Sequence, residues 1–431
     1  MNRPRIAIIG SGISGLTVAR HLHAENDITI FEASSWVGGH THTIDVERDG
    51  QHWAVDTGFI VFNDRTYPNF IEMLDELKVP SQPAPMTFSV RCDATDLEYR
   101  GADLPGLFAQ RKNIFRPRFY RLLQGIIKFN KAGVKLIEDG DDRMTVKQFF
   151  ETNKFSRDFY EYYFLPMGSA IWSCPQSTFE EFPIRFIADF YHHHGLLSVK
   201  NRPQWRVISG GSRSYVAPLI ADFKDRIRLD TPVHHVHRQP EQVTVSFAGG
   251  REVFDHVVFA CHADQALRLL GDKATSSERQ ILCAFPYESN DVVLHHDEEI
   301  LPKRRRAWAA WNYLMPDSQE HKASLTYCMN ILQSFECQDT FCVTLNNTDR
   351  INPNKIIQSF NYWHPVFDAR RKEMQQRHGE LLGPQRTSFC GAYWGNGFHE
   401  DGVVSGLAVV NQFKQASATN SSKQLDTTGN P

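Results

Sequence analysis

Three glycines near the N-terminus have the spacing of a turn that binds phosphate. Gly10, Gly12 and Gly15 follow the G-x-G-x-x-G pattern directly after a short apolar run. Gly10 allows the tight turn, Gly12 lets the backbone approach a pyrophosphate, and Gly15 lets the next helix pack closely against its strand. Because N–H groups at a helix N-terminus favour negative charge, such a site needs no lysine. The chemistry that this spacing predicts is dinucleotide binding.

A carboxylate follows at the position where a dinucleotide site contacts a ribose. Glu32 stands about 20 residues beyond the first glycines, the distance expected for an acceptor of the ribose 2′-hydroxyl. Its charge would repel a 2′-phosphate, which disfavours NADP at this site.

These residues need a strand, a turn and a helix to position them. Ile6–Ile9 is apolar enough for a buried parallel strand, residues 14–23 predict a helix, and residues 27–32 predict a second strand. A glycine-rich turn without a ligand is the alternative. It is disfavoured because strand, helix and acidic residue are all in place.

The length and composition are those of a large soluble globular protein. The chain has 431 residues, 41% of them hydrophobic and 23% charged, which favours two domains around a shared cleft. The net charge of −3 does not favour binding to nucleic acid. The eight cysteines lack C-x-x-C spacing, which predicts buried thiols rather than disulfides or zinc ligands.

The chain shows no apolar run long enough to span a bilayer, which takes roughly 18 residues or more. The N-terminal apolar stretch ends at Gly10, which is too short for the core of a signal peptide. We therefore expect a cytoplasmic protein. From Ala416 the composition turns polar, which predicts a disordered tail over residues 416–431.

Later segments return to the pattern of the first domain. Val207–Ser212 predicts a glycine turn, and residues 226–233 and 243–247 alternate as half-buried strands do. Residues 255–261 predict a buried strand. The expected fold class is α/β, with a discontinuous Rossmann-like cofactor domain and an inserted α+β substrate domain. The predicted bounds are 1–80, 205–281 and 385–415 for the first domain, and 81–204 and 282–384 for the second.

The order of motifs along the chain resembles that of a known superfamily. The chain has the glycine motif, Glu32, Gly38-Gly39, Asp56-Thr57-Gly58, Gly210-Gly211, Val233 and a glycine-rich segment from Gly391 to Gly406. It thereby resembles the flavin-containing amine oxidase and phytoene desaturase superfamily, whose members bind FAD. The runs from Gly38 to Thr43, from Asp56 to Asn63 and from Gly395 to Gly402 are similar to a bacterial branch of flavoproteins associated with fatty acid modification.

This resemblance implies a set of residues that contact FAD. Glu32 would contact the adenosine ribose, and Val233 would contact the adenine through its backbone. Asp401 would lie at the start of a helix whose positive end faces the flavin pyrimidine ring. Many members carry Arg directly after the pair Gly38-Gly39, where this chain has His40. A histidine can still donate a hydrogen bond there, but it has no permanent charge. The full set is Gly10, Ser11, Gly12, Ser14, Gly15, Glu32, Ala33, Gly38, Gly39, His40, Thr57, Gly58, Phe59, Val233, Gly391, Asp401, Gly402 and Val403.

Aromatic residues and one histidine are the candidates for the substrate site. Tyr393, Trp394 and Phe398 fall in the segment that lines the flavin face in the superfamily, and His399 is the candidate catalytic group. Tyr163 and Trp172 lie in an aromatic stretch that would line an apolar tunnel for a long substrate. Packing in a buried helical core is the alternative for all of these aromatic residues.

Two histidine groups and two basic stretches have weaker implications. The runs 192–194 and 234–237 contain several histidines, but adjacent residues on a strand face opposite ways, and no metal site is expected. Basic residues alternate with aromatic ones over 108–121 and again over 303–311. The default interpretation of both stretches is a solvent-exposed surface. The alternative is peripheral contact with anionic lipid at the inner membrane surface.

The sequence as a whole predicts an FAD-dependent oxidoreductase that withdraws a hydride from a hydrophobic substrate, of the fatty acyl class. No cysteine lies in the superfamily's attachment context, so the FAD is expected to be noncovalent. Three alternatives stay open: an amine oxidase that releases hydrogen peroxide, a flavin-dependent isomerase, and a nucleotide-binding protein without catalysis.

Overall fold

The structure is a computed structural model that describes residues 3–48, 50–139, 143–172, 174–198, 202–315, 324–366 and 370–427. Its strands are β1 Arg5–Ile9, β2 Asp27–Phe31, β3 Thr43–Arg48, β4 Gln51–Asp56, β5 Phe62–Asn63, β6 Ser81–Pro83, β7 Phe88–Cys92, β8 Leu97–Arg100, β9 Trp205–Ile208, β10 Ile227–Arg228, β11 Val233–Arg238, β12 Val243–Phe247, β13 Gly250–Phe254, β14 His256–Phe259, β15 Tyr287–His295, β16 Trp311–Leu314, β17 Ser324–Cys328, β18 Cys342–Leu345, β19 Ile356–Pro365 and β20 Thr387–Phe389.

The α-helices between these strands are α1 Ile13–Leu22, α2 Pro68–Glu76, α3 Leu104–Leu107, α4 Pro117–Asp139, α5 Val146–Thr152, α6 Arg157–Phe159, α7 Leu165–Trp172, α8 Gln176–Glu180, α9 Ile184–His193, α10 Val216–Ile220, α11 Ala263–Leu270, α12 Ser276–Leu282, α13 Met329–Leu332, α14 Arg371–Gln376 and α15 His399–Thr427. No helix in the described ranges contains a stretch that is both long and apolar enough to cross a membrane.

A parallel five-stranded sheet forms the centre of the first half of the fold, in the order β10-β2-β1-β14-β20. Strand β1 lies between β2 and β14, and its residues Ile6–Ile9 are all buried. A strand with neighbours on both sides and both faces covered must be apolar, which explains the continuous run in the sequence. The predicted strand, turn, helix and second strand of the N-terminus are all present. The α/β fold class is confirmed.

The sequence predicted one strand over the alternating run of residues 226–233. In the structure this run is divided between two sheets. Ile227–Arg228 joins the parallel sheet beside β2, whereas Val233 begins β11 of a separate antiparallel sheet, β11-β12-β13. Asp230 between them has a φ of 47°, a left-handed conformation that an extended strand cannot contain. The following Pro232 also removes a backbone donor.

A seven-stranded sheet, largely antiparallel, forms the second half in the order β19-β15-β18-β17-β16-β7-β8. Strands β7 and β8 come from the first insertion, and the other five come from the second. The two insertions meet where β7 pairs in parallel with β16. Segments that lie more than 200 residues apart in the chain therefore build one sheet.

Helices of the first insertion enclose a dense group of aromatic side chains, here called the aromatic cluster. It lies beneath α4, α5, α7 and α9, and several of its ring centroids are within about 6 Å of one another. Its principal members are Phe129, Phe149, Phe150, Phe159, Phe164, Trp172, Phe179, Phe182, Phe190 and Tyr191.

The last helix is longer than the sequence predicted. Helix α15 continues to Thr427, whereas a disordered tail was expected from Ala416. Because residues 416–427 contain neither glycine nor proline, nothing in the local sequence ends the helix before Gly429. Residues 428–431 lie outside the described residues.

Candidate functional site

Two glycines of the N-terminal turn occupy positions that admit no side chain. Gly10 has a φ of 108°, and a Cβ there would lie 2.6 Å from the carbonyl oxygen of Ala260. A Cβ on Gly15 would lie 2.2 Å from the carbonyl oxygen of Gly10. Glycine is therefore required at both positions by the packing of strand, turn and helix.

Gly12 differs from these two glycines because open space lies in front of it. Nothing is found within 4 Å of the point where its Cβ would lie. A second loop closes one side of this space: Gly38 donates from its N–H to the Ser11 carbonyl at 3.0 Å, and Gly39 approaches the Gly12 Cα. The two loops therefore form an open cradle at the N-terminus of α1, which fits the pyrophosphate of a dinucleotide.

Glu32 lies beside this cradle at the end of β2, with its side chain buried. Oε2 accepts hydrogen bonds from the Ser11 N–H at 2.8 Å and from Ser11 Oγ at 2.6 Å, and Oε1 accepts one from the Ser34 N–H at 2.9 Å. A carboxylate oxygen can accept more than one hydrogen bond, so capacity for a ribose hydroxyl is left. The sequence predicted the ribose role but not the bonds to Ser11.

The predicted adenine segment lies next to Glu32 in the structure. Thr231 donates from its N–H to the Glu32 carbonyl at 2.8 Å, and Val233 begins β11 two residues later. Ala33 follows Glu32 and is exposed.

Residues 56–59 pack against the backbone that follows Gly38-Gly39. Phe59 donates from its N–H to the His40 carbonyl at 2.7 Å, and Thr57 donates from Oγ1 to the His42 carbonyl at 3.0 Å. A Cβ on Gly58 would lie 2.2 Å from the His40 carbonyl oxygen. The two motifs therefore form one unit beside the cradle.

A buried carboxyl group, Asp56, joins this unit to both halves of the fold. Its Oδ1 accepts hydrogen bonds from Thr43 Oγ1 and from the N–H and hydroxyl of Ser212, and its Oδ2 accepts one from Gln333 Nε2 at 3.2 Å. Burial raises the pKa of Asp56 to about 6, although these hydrogen bonds oppose the shift. Asp56 therefore positions the loops around the cradle.

His40 lies in a group of aromatic and imidazole rings that the sequence did not bring together. Its ring centroid is 5.2 Å from that of Tyr362, 5.7 Å from that of His364 and 6.4 Å from that of His262. Its Nε2 is shielded from solvent and has no hydrogen-bond partner among the described residues, which makes it a donor or acceptor for a bound ligand. Burial lowers the pKa of His40 to about 4 and that of His364 to about 3, so both rings are neutral at pH 7.

His399 lies in a separate buried position at the start of α15. Its Nε2 is 2.8 Å from the Tyr215 hydroxyl, which in turn lies 2.6 Å from Thr41 Oγ1. The imidazole stacks on Phe59 with a centroid distance of 3.7 Å. Burial lowers the pKa of His399 to about 3, with a smaller contribution from His40. A neutral, hydrogen-bonded ring results.

The N-termini of α1 and α15 lie side by side. A Cβ on Gly402 would lie 2.7 Å from the Ile13 side chain, so the two helices approach closely there. Asp401 accepts hydrogen bonds through Oδ2 from the Asn396 N–H at 2.9 Å and the Phe398 N–H at 2.8 Å. Val403 is buried in the core beside α1. The glycine-rich segment that begins at Gly391 is thereby brought next to the cradle.

The predicted substrate-lining residues form two groups. Tyr163, Trp172 and Phe398 all pack in or against the aromatic cluster. Tyr393 and Trp394 instead pack against Phe285, on the other side of the parallel sheet, and Trp394 stacks on His378. The structure therefore joins Phe398, but not Tyr393 or Trp394, to the aromatic residues of the first insertion.

Sequence reasoning missed a buried cation, Arg371 on α14. It is 8% exposed, its Nη2 donates to Asn396 Oδ1 at 3.1 Å, and its guanidinium carbon lies 3.9 Å from the centroid of the Phe186 ring. Burial lowers the pKa of Arg371 to about 10, and the nearby Asp401 opposes the shift. No motif marks this position, because it depends on contacts between distant segments.

Neither histidine group resembles a metal site in the structure. His192, His193, His234, His235 and His237 are exposed. Within the described part of the chain, no three His, Cys, Asp or Glu side chains are arranged to hold a metal ion.

Comparison with solved structures shows that two oxidases and an isomerase share this fold. Wild-type putrescine oxidase bound to putrescine superposes with a TM-score of 0.68 at 13% identity, covering 96% of this chain and 99% of that one. A CLA-producing fatty acid isomerase from P. acnes has a TM-score of 0.67 at 16% identity, covering 95% and 98%. Cyclohexylamine oxidase from Brevibacterium oxydans has a TM-score of 0.66 at 15% identity, covering 96% and 100%. At these identities the likeness shows a common fold.

Sequence comparisons identify the family. A probable flavin-containing monooxygenase 1 from Arabidopsis thaliana is 41% identical over 81 residues, which span 17% of this chain and only 15% of that relative. The family model for flavin-containing amine oxidoreductases matches residues 13–308, more than half of the chain. The protein therefore belongs to the flavin-containing amine oxidoreductase family and is an FAD-dependent oxidoreductase.

Proposed function

We propose that this enzyme withdraws a hydride from a long hydrophobic substrate of the fatty acyl class. The observation that carries the proposal is the contact between the aromatic cluster and the segment before α15. Phe398 packs against both the aromatic cluster and the core around α1, and its ring lies 5.3 Å from that of Phe190. An apolar chain held by the cluster would therefore end beside the residues proposed to hold the flavin.

The aromatic cluster also contains polar atoms that suit a substrate within an apolar site. Trp172 Nε1 and the Tyr191 hydroxyl are buried and have no hydrogen-bond partner among the described residues. Buried polar groups are nearly always paired in folded proteins, so atoms of this kind favour a bound molecule nearby. Tyr163 lies at the edge of the same cluster.

Arg371 supports an acid substrate over an amine. It lies between Phe186, which packs against Trp172, and Asn396 of the segment before α15. A buried guanidinium pairs well with a carboxylate and repels a protonated amine. We propose that Arg371 binds the carboxylate of a fatty acid.

In the same proposal the FAD lies in the cradle. Gly12, Gly38 and Gly39 would hold the pyrophosphate, Glu32 the adenosine ribose, and His40 would donate through Nε2 to the cofactor. Bound FAD supplies the electron acceptor for the oxidation. His399, held by Tyr215 and stacked on Phe59, would orient the groups around the substrate rather than exchange protons with solvent.

The proposal also covers domain organisation and location. The FAD domain would comprise residues 1–80, 205–281 and 385–415, and the substrate domain residues 81–204 and 282–384. The enzyme would act in the cytoplasm, in peripheral contact with the inner membrane surface from which an acyl substrate can be drawn.

Anaerobic mixing of the holoenzyme with candidate substrates tests this function. We expect oleate to bleach the flavin absorbance near 450 nm, a general property of oxidised flavins. Methyl oleate should react less well because it lacks the charge that pairs with Arg371. Arg371→Gln should remove this preference, raising the KM for oleate roughly 10- to 100-fold. Lys372→Gln on the same helix is the matched control and should change nothing.

Two other outcomes would overturn the proposal in favour of specific alternatives. Bleaching by aliphatic amines alone would identify an amine oxidase, the class to which putrescine oxidase and cyclohexylamine oxidase among the structural neighbours belong. A fatty acid whose double bond moves without net flavin reduction would identify an isomerase, like the fatty acid isomerase from P. acnes. Mass spectrometry of the lipid distinguishes the latter.

Glu32→Ala is expected to weaken FAD binding roughly 10- to 100-fold, because hydrogen bonds to a charged group contribute about 1.5–3 kcal/mol. The variant loses the ribose acceptor and the bonds that fix Ser11. FAD retained after desalting and the dissociation constant from flavin fluorescence measure the effect. Asp27→Ala, an exposed acidic residue at the start of the same strand, should keep wild-type FAD content. Unchanged FAD affinity in Glu32→Ala would contradict the placement of the ribose.

A further inference from the structure

Exposed apolar side chains are concentrated in one segment of the chain. Among the described residues, ten large hydrophobic side chains are exposed, and six of them lie between residues 104 and 134. Phe115 is 85% exposed and Leu104 is 69% exposed. The others are Ile114, Tyr120, Ile127 and Val134. A concentration of this kind marks an interaction site more often than chance exposure does.

The same part of the chain is strongly basic. Between Leu104 and Ile137 the sequence contains eight Lys and Arg residues and no Asp or Glu, although the whole protein has a net charge of −3. Among the described residues, three of the basic residues pair with acids from elsewhere: Lys112 pairs with Asp96, and Arg118 and Arg121 pair with Asp158. Within the described part of the chain, the basic residues of this surface therefore outnumber the acidic residues that pair with them.

Helix α4 arranges these residues in two adjacent stripes. Tyr120, Ile127 and Val134 repeat every seven residues, so they share one exposed face of the helix. Each is followed directly by a basic residue, namely Arg121, Lys128 and Lys135. The opposite face of α4 is buried in the aromatic cluster through Phe119, Leu122 and Phe129. An apolar stripe beside a basic stripe is typical of helices that lie at a bilayer interface.

An open groove lies at the N-terminal end of this helix. It has a volume of about 380 Å³ and is lined by Ile114, Phe115, Pro117, Tyr120, Arg121 and Gln124. The groove combines apolar walls with a guanidinium at its edge, as contact with a lipid headgroup and its upper acyl chain would need.

The second basic stretch of the sequence does not share these properties. Arg304 pairs with Glu98 at 2.9 Å, and Arg305 pairs with Glu298 at 3.2 Å. Trp308 is half-buried, and its Nε1 donates to the Pro302 carbonyl at 2.7 Å. Arg304, Arg305 and the indole of Trp308 are therefore engaged within the protein.

We propose that the exposed face of residues 104–135, here called the basic-apolar surface, docks on a bilayer that contains anionic phospholipid. A second copy of the chain fits less well, because a two-fold contact would bring two strongly basic surfaces together. The docking itself does not depend on the substrate. The link to catalysis rests on the proposed function, since the inner face of α4 borders the aromatic cluster that would receive an acyl chain.

Vesicle sedimentation with the full-length FAD-loaded protein tests the proposal. We expect binding to vesicles of phosphatidylglycerol and phosphatidylcholine in equal parts, and little binding to pure phosphatidylcholine. Lys131→Glu/Lys135→Glu should weaken binding by at least about 25-fold, because each lost basic residue near an anionic surface contributes about a factor of five and the new carboxylates are repelled. Lys303→Glu/Arg306→Glu carries the same charge change on the second basic stretch and should bind like the wild type.

A second pair of variants tests the apolar contribution. Phe115→Ser should weaken binding roughly five- to tenfold through lost insertion of the ring. Trp363→Ser, which removes an exposed aromatic side chain from β19, is its control. Flavin content and absorbance spectrum show that each variant is folded.

Three results would overturn the proposal. These are equal binding to both vesicle types, equal loss of binding in the Lys303→Glu/Arg306→Glu control, and a dimer in sedimentation velocity that Phe115→Ser converts to a monomer. Vesicle binding together with no bleaching by oleate in the anaerobic mixing experiment would leave the docking intact and overturn only the proposed function. Bleaching by oleate without vesicle binding would overturn the docking and the proposed membrane contact, and would leave the proposed reaction intact.

Discussion

Gly12→Val is expected to abolish FAD binding while the protein still folds. Gly12 has φ −68° and ψ 174°, a conformation that valine adopts without strain, and open space lies where its Cβ would be. The branched side chain would fill the space in which the pyrophosphate approaches the backbone. We expect affinity for FAD to fall on the order of 100-fold or more. Titration of the apoprotein with FAD, followed by flavin fluorescence, measures this loss.

Gly379→Val is the matched control for this prediction. Gly379 also has nothing within 4 Å of its Cβ position, but it is an exposed residue of the turn after α14. It should bind FAD like the wild type. Circular dichroism and the thermal midpoint of both apoproteins should be close to those of the wild-type apoprotein. A Gly12→Val protein that purifies with stoichiometric FAD would show that the pyrophosphate lies elsewhere.

Acidification from pH 7.5 to pH 5 is expected to destabilise the protein by several kcal/mol. Burial lowers the pKa of His194 and His295 to about 4, and that of His256 and His399 to about 3. Their folded pKa lies below the ordinary value of about 6.5, so stability is fully present above pH 6.5 and is lost as the pH falls. Each ring costs about 2 kcal/mol at pH 5, or about 8 kcal/mol together.

Two carboxyl groups act in the opposite direction. Burial raises the pKa of Asp56 and of Asp401 to about 6, so each recovers about 1 kcal/mol as it is protonated near pH 5. For these six groups the net loss is about 5–6 kcal/mol, a large share of the 5–15 kcal/mol typical of folded proteins, and the lowered pKa of His40 and of His364 acts in the same direction. Urea unfolding midpoints at pH 7.5, 6.5, 5.5 and 5 measure it. A midpoint that stays constant over this range would contradict the prediction.

His295 offers the clearest variant for this test. Its Nδ1 accepts the Asp297 N–H at 3.1 Å, so Nε2 carries the proton and donates to Thr344 Oγ1 at 2.7 Å. His295→Gln should reduce the dependence of stability on pH by about one bound proton, or ~1.4 kcal/mol per pH unit. His52→Gln, at an exposed position on β4, should leave the dependence unchanged.

Local features of the fold could be predicted from the sequence. The apolar run before Gly10, the glycine spacing and the position of Glu32 together predict the strand, turn, helix and second strand, since each depends on neighbouring residues. The aromatic stretch around Trp172 indicated a helical region for the same reason, with packing in a buried core as one of its two interpretations. The split at Asp230 was missed because alternation continues through it, and only the left-handed backbone at that residue separates the two strands.

Features that depend on distant segments could not be predicted. His40, His262 and His364 become neighbours only because a loop, a helix start and a strand from three parts of the chain meet. No local sequence pattern marks Arg371 or Gln333 either. Arg371 nevertheless lies beside the segment before α15, and Gln333 donates a hydrogen bond to Asp56. Tyr393 and Trp394 follow the expected motif but face another core, because the turn before Gly395 directs them under the sheet.

The bonds from Ser11 and Ser34 to Glu32 have a consequence for how the cofactor is acquired. In the proposed cofactor site they hold the turn with protein groups alone, so the turn would be ordered before any nucleotide arrives. Fixing the backbone of one residue costs about 1–2 kcal/mol of conformational entropy. Here that cost is met when the protein folds and not when the cofactor binds. A finished apoprotein can then take up FAD without rearranging this turn, and the affinity of the holoenzyme is partly set during folding.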